Sequence, residues 1–425
     1  MSISTAAPAA SFEAAALEPQ LSRSVERLRC LLLWLTGFGG AFVFMEPSPY
    51  EVASLLTIVV FALTGLSLRP AMMPLVLLLI LNNIGFSIAV IPLLGESKPL
   101  IWVAVSWYMA ATAIFFAAML GTNTQARLSA LTRGYTAAAI VASLVAILGY
   151  FGLIPRADLF LKFGRAQGTF NDPNVLGAFL VFPALLALQR IMGGRLRDLL
   201  WGSALLALYS VALLLSFSRG AWGQFAFAAL LLMALTFLTS RSANERLRIV
   251  VMAILDVVAF AAFIAAILSV DQVAELFKER ASLDQSYDVG HTGRFGRHIL
   301  GFALALDTPL GIGPLQFAKI FLEDPHNAYL NNFMSGGWIA GLSYLTLALV
   351  TVMTGLRFVF VATPWRATYL AIYVALVGVA AESAVIDSDH WRHYFLLLGV
   401  LWGLMTAQPS NLGHERDPAV RHRDT

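Results

Sequence analysis

The feature that most constrains this chain is a series of uncharged apolar runs, each about long enough to cross a bilayer, recurring from residue 28 to residue 408. A helix needs about 17–25 residues to span the ~30 Å hydrocarbon core. Reading between charges, the runs fall at 28–46, 51–69, 71–94, 99–121, 131–153, 173–190, 198–217, 220–240, 248–269, 327–356, 366–386 and 393–408. Composition agrees: 59% of residues are hydrophobic and 12% charged, where soluble domains carry roughly a quarter charged. The expected fold is all-α, a polytopic membrane helix bundle of about 12 transmembrane helices with one large periplasmic loop containing short helices.

The runs also divide the chain. Residues 1–27 are rich in Ala and Ser and lack hydrophobic periodicity, so they read as a flexible cytoplasmic tail. Helices one to nine are expected over 28–269, a large periplasmic loop over 270–326, helices ten to twelve over 327–408, and a cytoplasmic tail over 409–425. The first apolar run follows Arg23, Arg27 and Arg29 without a small-residue cleavage site, and it reads as a retained anchor.

Cytoplasmic loops keep Lys and Arg, whereas translocated short loops do not. Placing both termini inside puts Arg69, Arg127, Arg190, Arg246 and Arg357 on the inner side with both tails. The arginines that break this rule cluster, among them Arg165, Arg219, Arg294 and Arg297. A net charge of +3 therefore mainly reports topology, and no nucleic-acid partner is expected. Cys30 is the only cysteine, which argues against disulfides and cysteine metal sites.

With this topology, spans six, eight and ten all start at the outer face. Each points a helix N-terminus, worth roughly half a positive charge, at the same boundary. Span six opens with Asp172 as a cap and Pro173 at the first helical position. Span ten is expected to open in the same way with Asp324-Pro325-His326-Asn327, which sets His326 in its first turn. Span eight opens with Ser218-Arg219-Gly220.

A cation at a helix N-terminus costs a few tenths to about 1 kcal/mol. The loop repeats the anomaly, because a helix from Thr292 to Leu306 would carry Arg294, Arg297 and His298 in its first turns. Such an arrangement becomes favourable once an anion arrives, since helix N-termini and guanidinium forks both bind phosphate. An outward-facing anion site follows, with interface snorkelling as the plain alternative for Arg219 and solvation for the loop arginines. His326 is placed to act as a general base toward a sugar hydroxyl, or to be merely structural. The segment 271–285 reads as an amphipathic surface helix, and Leu310-Gly311-Ile312-Gly313-Pro314 as a tight turn, with a phosphate loop the weaker reading.

Five blocks in this order resemble the O-antigen ligase and O-antigen polymerase superfamily. They are Gly164-Arg165-Ala166-Gln167-Gly168-Thr169-Phe170-Asn171-Asp172-Pro173-Asn174, Phe217-Ser218-Arg219-Gly220-Ala221-Trp222, Thr292-Gly293-Arg294, Pro309-Leu310-Gly311-Ile312-Gly313 and His326-Asn327-Ala328-Tyr329-Leu330. The resemblance spans about 160–345. It implies a metal-independent glycosyltransferase, without cofactors, in the bacterial inner membrane. Such an enzyme takes a glycan from a lipid-linked donor, undecaprenyl diphosphate, and joins it at the periplasmic face to a glycan or lipid A core acceptor. It further implies that Arg219 and Arg294 hold the diphosphate and that His326 activates the acceptor hydroxyl. Arg165, Asn174, Arg297, Asp324 and Asn327 are secondary candidates.

Other residues keep alternatives open. Asp387-Ser388-Asp389 has the D-x-D spacing with which many glycosyltransferases hold a metal diphosphate. Asp256 and Glu382 are carboxyls at or near membrane depth, where ionisable groups default to function. In a transporter or flippase they would be ion relays. In a transferase they would brace helices, as Asn82 and Asn83 are expected to do.

Overall fold

The computed structural model describes residues 10–44, 47–269, 273–275, 277 and 293–407. Every apolar run coincides with one helix. These are α1 (Ala10–Gly39), α2 (Pro49–Thr64), α3 (Met73–Ala89), α4 (Ser97–Met119), α5 (Thr124–Tyr150), α6 (Pro173–Met192), α7 (Leu196–Leu215), α8 (Arg219–Thr239) and α9 (Ala243–Ile267). Two further helices, α10 (Arg294–Asp307) and α11 (Phe317–Phe321), precede α12 (Ala328–Val359), α13 (Arg366–Glu382) and α14 (Arg392–Thr406).

Seven of the described helices are long and apolar enough to cross a membrane: α3 with the 3-10 turn before it, α4 to α8, and α12. α2, α13 and α14 have 16, 17 and 15 residues, fewer than the about 17–25 an upright crossing takes or at its lower edge.

Two expectations need correction, and a third falls largely outside the described residues. α1 begins at Ala10, so a helical backbone already occupies much of the stretch read as a tail over 1–27. Alanine and glutamate, which populate that stretch, are strong helix formers. The chain is not purely helical either, because Leu161–Lys162 and Arg165–Ala166 pair as a short antiparallel hairpin, β1 and β2. Of the segment read as an amphipathic surface helix, only 273–275 and 277 are described; Val273 is buried, and Phe277 stacks on Trp222 with ring centroids 5.5 Å apart.

Polar side chains join apolar helices where the sequence suggested bracing. Asn82 on α3 donates to Asn332 Oδ1 on α12 at 2.7 Å and to the Ala340 carbonyl at 3.0 Å. Asn83 instead donates to its own helix, at Leu79. α12 breaks at Gly337, whose φ of 67° and ψ of −164° interrupt the helix. The 309–313 segment fills the break: Ile312 N–H donates to Met334 at 2.7 Å, and Trp338 N–H donates to Pro309 at 2.9 Å. A Cβ on Gly311 would stand 2.6 Å from the Gly337 nitrogen, so glycine there permits a backbone-to-backbone contact. The glycine-rich segment is thus a structural clasp on α12.

Candidate active site

Three turns deliver side chains to one end of the bundle. Only Ser216, Phe217 and Ser218 join α7 to α8, and Phe217 takes φ 46° to reverse the chain. Ser218 caps α8 by accepting from Ala221 N–H at 3.3 Å, which leaves Arg219 as the first helical residue. Asp172 caps α6, accepting from Asn174 N–H at 2.8 Å, as its position before Pro173 suggested. At α12 the cap is Asn327, accepting from Leu330 N–H at 3.0 Å, with Ala328 as the first helical residue.

That last cap corrects the expectation for Asp324 and His326. Asp324 lies upstream of the helix, and partial burial of its carboxyl together with the charge of Asp387 raises its pKa. His326 is not in the first turn of α12 but just before it, with φ 47°. Two backbone donors fix this bend, because Asp387 accepts from the N–H of His326 at 3.1 Å and of Asn327 at 3.0 Å.

A cavity of about 400 Å³ opens where these turns meet, lined by Arg165, Asn174, Phe217, Ser218, Arg219, Gly220, Arg294, Arg297, Glu323, His326, Val385 and Ile386. The fold therefore gathers Arg219, Arg294 and His326 around one space, together with Arg165, Asn174 and Arg297. Asp324 and Asn327 do not line it. Among the described residues, four guanidinium groups face one lining carboxylate, Glu323, and the N-terminus of α8 adds its partial positive charge. The space is cationic and suits an anion of phosphate type.

The lining arginines differ in how they are held. Arg165 on β2 donates from Nε to Ser216 O at 2.8 Å and from Nη2 to Asn174 Oδ1 at 2.7 Å, so it ties the hairpin to the end of α7 and the start of α6. Arg297 is buried and pairs with Glu323 at 2.5 Å. His298, on the same helix, shares its Nε2 proton with the Pro325 carbonyl at 2.7 Å. Burial lowers the His298 pKa, an effect the Pro325 bond partly opposes, so the neutral ring is the form that joins α10 to the turn carrying His326.

Asp387 is the functional candidate whose role the sequence did not reveal. Its Oδ2 lies 3.3 Å from His326 Nδ1. A carboxylate there favours the tautomer protonated on Nδ1 and leaves the Nε2 lone pair available as a base. In the sequence the two residues are 61 positions apart, and Asp387 drew notice only for its spacing to Asp389. Asp389 is buried and accepts from Asn331 Nδ2 at 2.8 Å and Asn332 Nδ2 at 3.3 Å. The D-x-D pair therefore points into two different networks. Among the described residues, no group of three or more His, Cys, Asp or Glu side chains is arranged to hold a metal ion.

Glu382 ends α13, buried, and neither carboxyl oxygen has a hydrogen-bond partner among the described residues. It does not brace helices by hydrogen bonding as expected. Instead its carboxyl packs on the first turn of α8, where a Cβ on Gly220 would come within 2.5 Å of Oε1. The side chain of Asp256, on α9, lies outside the described residues.

The fold and the cavity define a multi-pass membrane protein with a cation-lined space at one end of its helices. Residues 204–345 match the family described as O-antigen ligase, a family of glycosyltransferase-like enzymes, and this match supports the resemblance to the O-antigen ligase and polymerase superfamily. The matched segment contains Arg219, Arg294, Arg297 and His326, whereas Arg165 and Asn174 lie upstream of it. A search of curated proteins gave no significant match.

Proposed function

We propose that the chain moves a polysaccharide from undecaprenyl diphosphate to an acceptor sugar at the periplasmic face of the bacterial inner membrane, in the manner of an O-antigen ligase. The observation that carries this reading is that Arg219, Arg294 and His326, from three separate elements, line one cavity. Arg219 and Arg294 hold the donor diphosphate. The acceptor hydroxyl gives its proton to His326 Nε2 while its oxygen bonds to the anomeric carbon. The bond from that carbon to the diphosphate oxygen breaks, and the electron pair leaves with the diphosphate. The guanidinium groups are already in place where this charge collects, which is how preorganised donors lower a barrier. Asp387 holds the imidazole in the tautomer the step needs and stabilises the imidazolium that forms.

The lipid tail has a matching place. An apolar cavity of about 600 Å³ lies among α7, α8 and α9 and includes Trp222, one turn along α8 from Arg219. A polyprenyl chain leaving the diphosphate would meet an apolar wall there.

Deleting the gene and resolving lipopolysaccharide on gels tests the reading. A ligase predicts lipid A core without attached ladders and an accumulated lipid-linked polymer. Single-repeat products would instead indicate a polymerase of the same superfamily, and an unchanged pattern would remove both.

A further inference from the structure

A second, smaller cavity lies across the start of α6 from the cationic one. It has a volume of about 160 Å³ and is lined by Gly40, Val43, Phe170, Asn171, Asp172, Val175 and residues 390–393. We propose that it is a subsite for one neutral sugar ring of the acceptor glycan. The proposal rests on the reading of the cationic cavity as the donor site.

The two cavities share a partition built from the same two segments. Residues 171–175 give Asn174 to the cationic cavity and Asn171, Asp172 and Val175 to the smaller one. Residues 385–393 give Val385 and Ile386 to the first and His390, Trp391, Arg392 and His393 to the second. Between these two sets stands Asp387, the partner of His326.

Charge separates them. The smaller cavity has Asp172 and Arg392 in its wall, and each already meets an opposite charge, Asp172 with Lys162 at 3.3 Å and Arg392 with Glu51. It offers an anion no excess of positive charge. What it does offer is amide and imidazole side chains beside aromatic rings. His393 is 5% exposed, stacks on Trp391 at 5.3 Å, and its Nε2 has no hydrogen-bond partner among the described residues. His390 lies on Trp102 with ring centroids 3.9 Å apart, and its Nε2 is likewise without one among them.

Size narrows the occupant. The space is below the ~300–1,000 Å³ of pockets for drug-sized ligands and equals roughly five waters at ~30 Å³ each. One monosaccharide ring fits these limits, with C–H faces for Phe170 and Trp391 and hydroxyls for Asn171 and the imidazoles. Geometry then selects the acceptor over the donor. In an in-line displacement the attacking hydroxyl and the leaving diphosphate lie on opposite sides of the anomeric carbon. His326 shares the cationic cavity with Arg219 and Arg294, so the attacking hydroxyl reaches the anomeric carbon there, and the cavity beyond the partition is left to a neighbouring ring of the acceptor.

The test uses the full-length protein in nanodiscs and, as probe, delipidated core oligosaccharide, followed by saturation-transfer NMR and by initial transfer rates. His393→Phe keeps the aromatic stack and removes Nε2; Asn171→Ala alters the rim without touching the buried ring. Both should weaken oligosaccharide binding and raise the acceptor KM by at least tenfold, with kcat and donor KM within about threefold of the parent. Unchanged oligosaccharide binding in both variants would overturn the proposal. So would a raised donor KM with acceptor KM unchanged, which would mark the cavity as a place for the donor's sugars. Arg219→Ala should leave oligosaccharide binding intact. A chain that binds the oligosaccharide in this cavity but transfers nothing would sink the donor reading while sparing the subsite.

Discussion

Arginines at the two ends of the bundle are held in different settings. At the end away from the cavity, Arg127, Arg69 and Arg29 are spent on the chain's own acceptors. Arg127 is buried, gives a fork to Glu26 at 2.6 and 2.7 Å, and donates to the Met119 carbonyl at 2.7 Å. Arg69 bonds the carbonyls of Thr406 and Gly121, clamping α14 to the end of α4. Arg29 reaches the Thr64 carbonyl at 2.6 Å and the Gly65 carbonyl at 3.0 Å at the end of α2. These side chains neutralise the negative ends of helices, where a cation is favoured. At the other end Arg219 and Arg294 open helices, where a cation is disfavoured, and both line an open space. Arg127 itself lies in the first turn of α5, so what separates the staples from Arg219 and Arg294 is the space they face more than their place along a helix.

The largest effect should fall on the base. His326→Ala should lower turnover by roughly 10²–10⁴-fold, the range for losing a general base, with donor binding retained. His326→Gln should fail as well, since an amide cannot take a proton usefully at neutral pH. Initial rates with purified protein, donor and acceptor decide this, and a Gln variant above about a third of the parent rate would leave His326 a structural residue. Next come Arg219→Ala and Arg294→Ala, each expected to cost about 10²–10³-fold in transfer, the scale for losing one preorganised donor, with abundance in the membrane near normal. Lys at either position should recover little, because a point charge does not reproduce the fork. Full activity of both Lys variants would reduce the site to general electrostatics.

The staples should break in the opposite sense. Arg127→Ala leaves part-buried Glu26 with Arg29 alone, a loss of about 1.5–3 kcal/mol, the scale of a hydrogen bond to a charged group. It should appear as a lower apparent melting temperature, with activity per folded molecule within threefold. The smallest effect is one of pH. Burial depresses the His298 pKa, so its contribution to stability is complete above the unfolded value of ~6.5 and is lost as pH falls through the lower folded value. Melting curves from pH 7 to pH 5 should show a drop that His298→Gln flattens, whereas equal slopes would remove His298 from the account.

Much of this was legible in the sequence, for physical reasons. Every apolar run became a helix, because length and the absence of charge leave little else in hydrocarbon. Asp172 was readable as a cap because its partner lies two residues away. His326 was misplaced into α12 because Asn327, one residue on, is an equally good cap and the distant Asp387 chose between them. The helix at Ala10 was missed since weak periodicity hides helices that rest on propensity alone. Asp387 as partner of His326, the clasp of 309–313 on Gly337 and the contact of Glu382 with Gly220 depend on chain segments brought together by packing. No local pattern encodes those.

The central claim is that the arginine-lined cavity binds the donor's diphosphate. Binding of undecaprenyl diphosphate-linked glycan to the protein in nanodiscs, compared with Arg219→Ala, Arg294→Ala and Arg127→Ala, tests it directly. The account predicts a Kd raised at least thirtyfold in the first two and unchanged in the third. Equal affinity in all four proteins would contradict it.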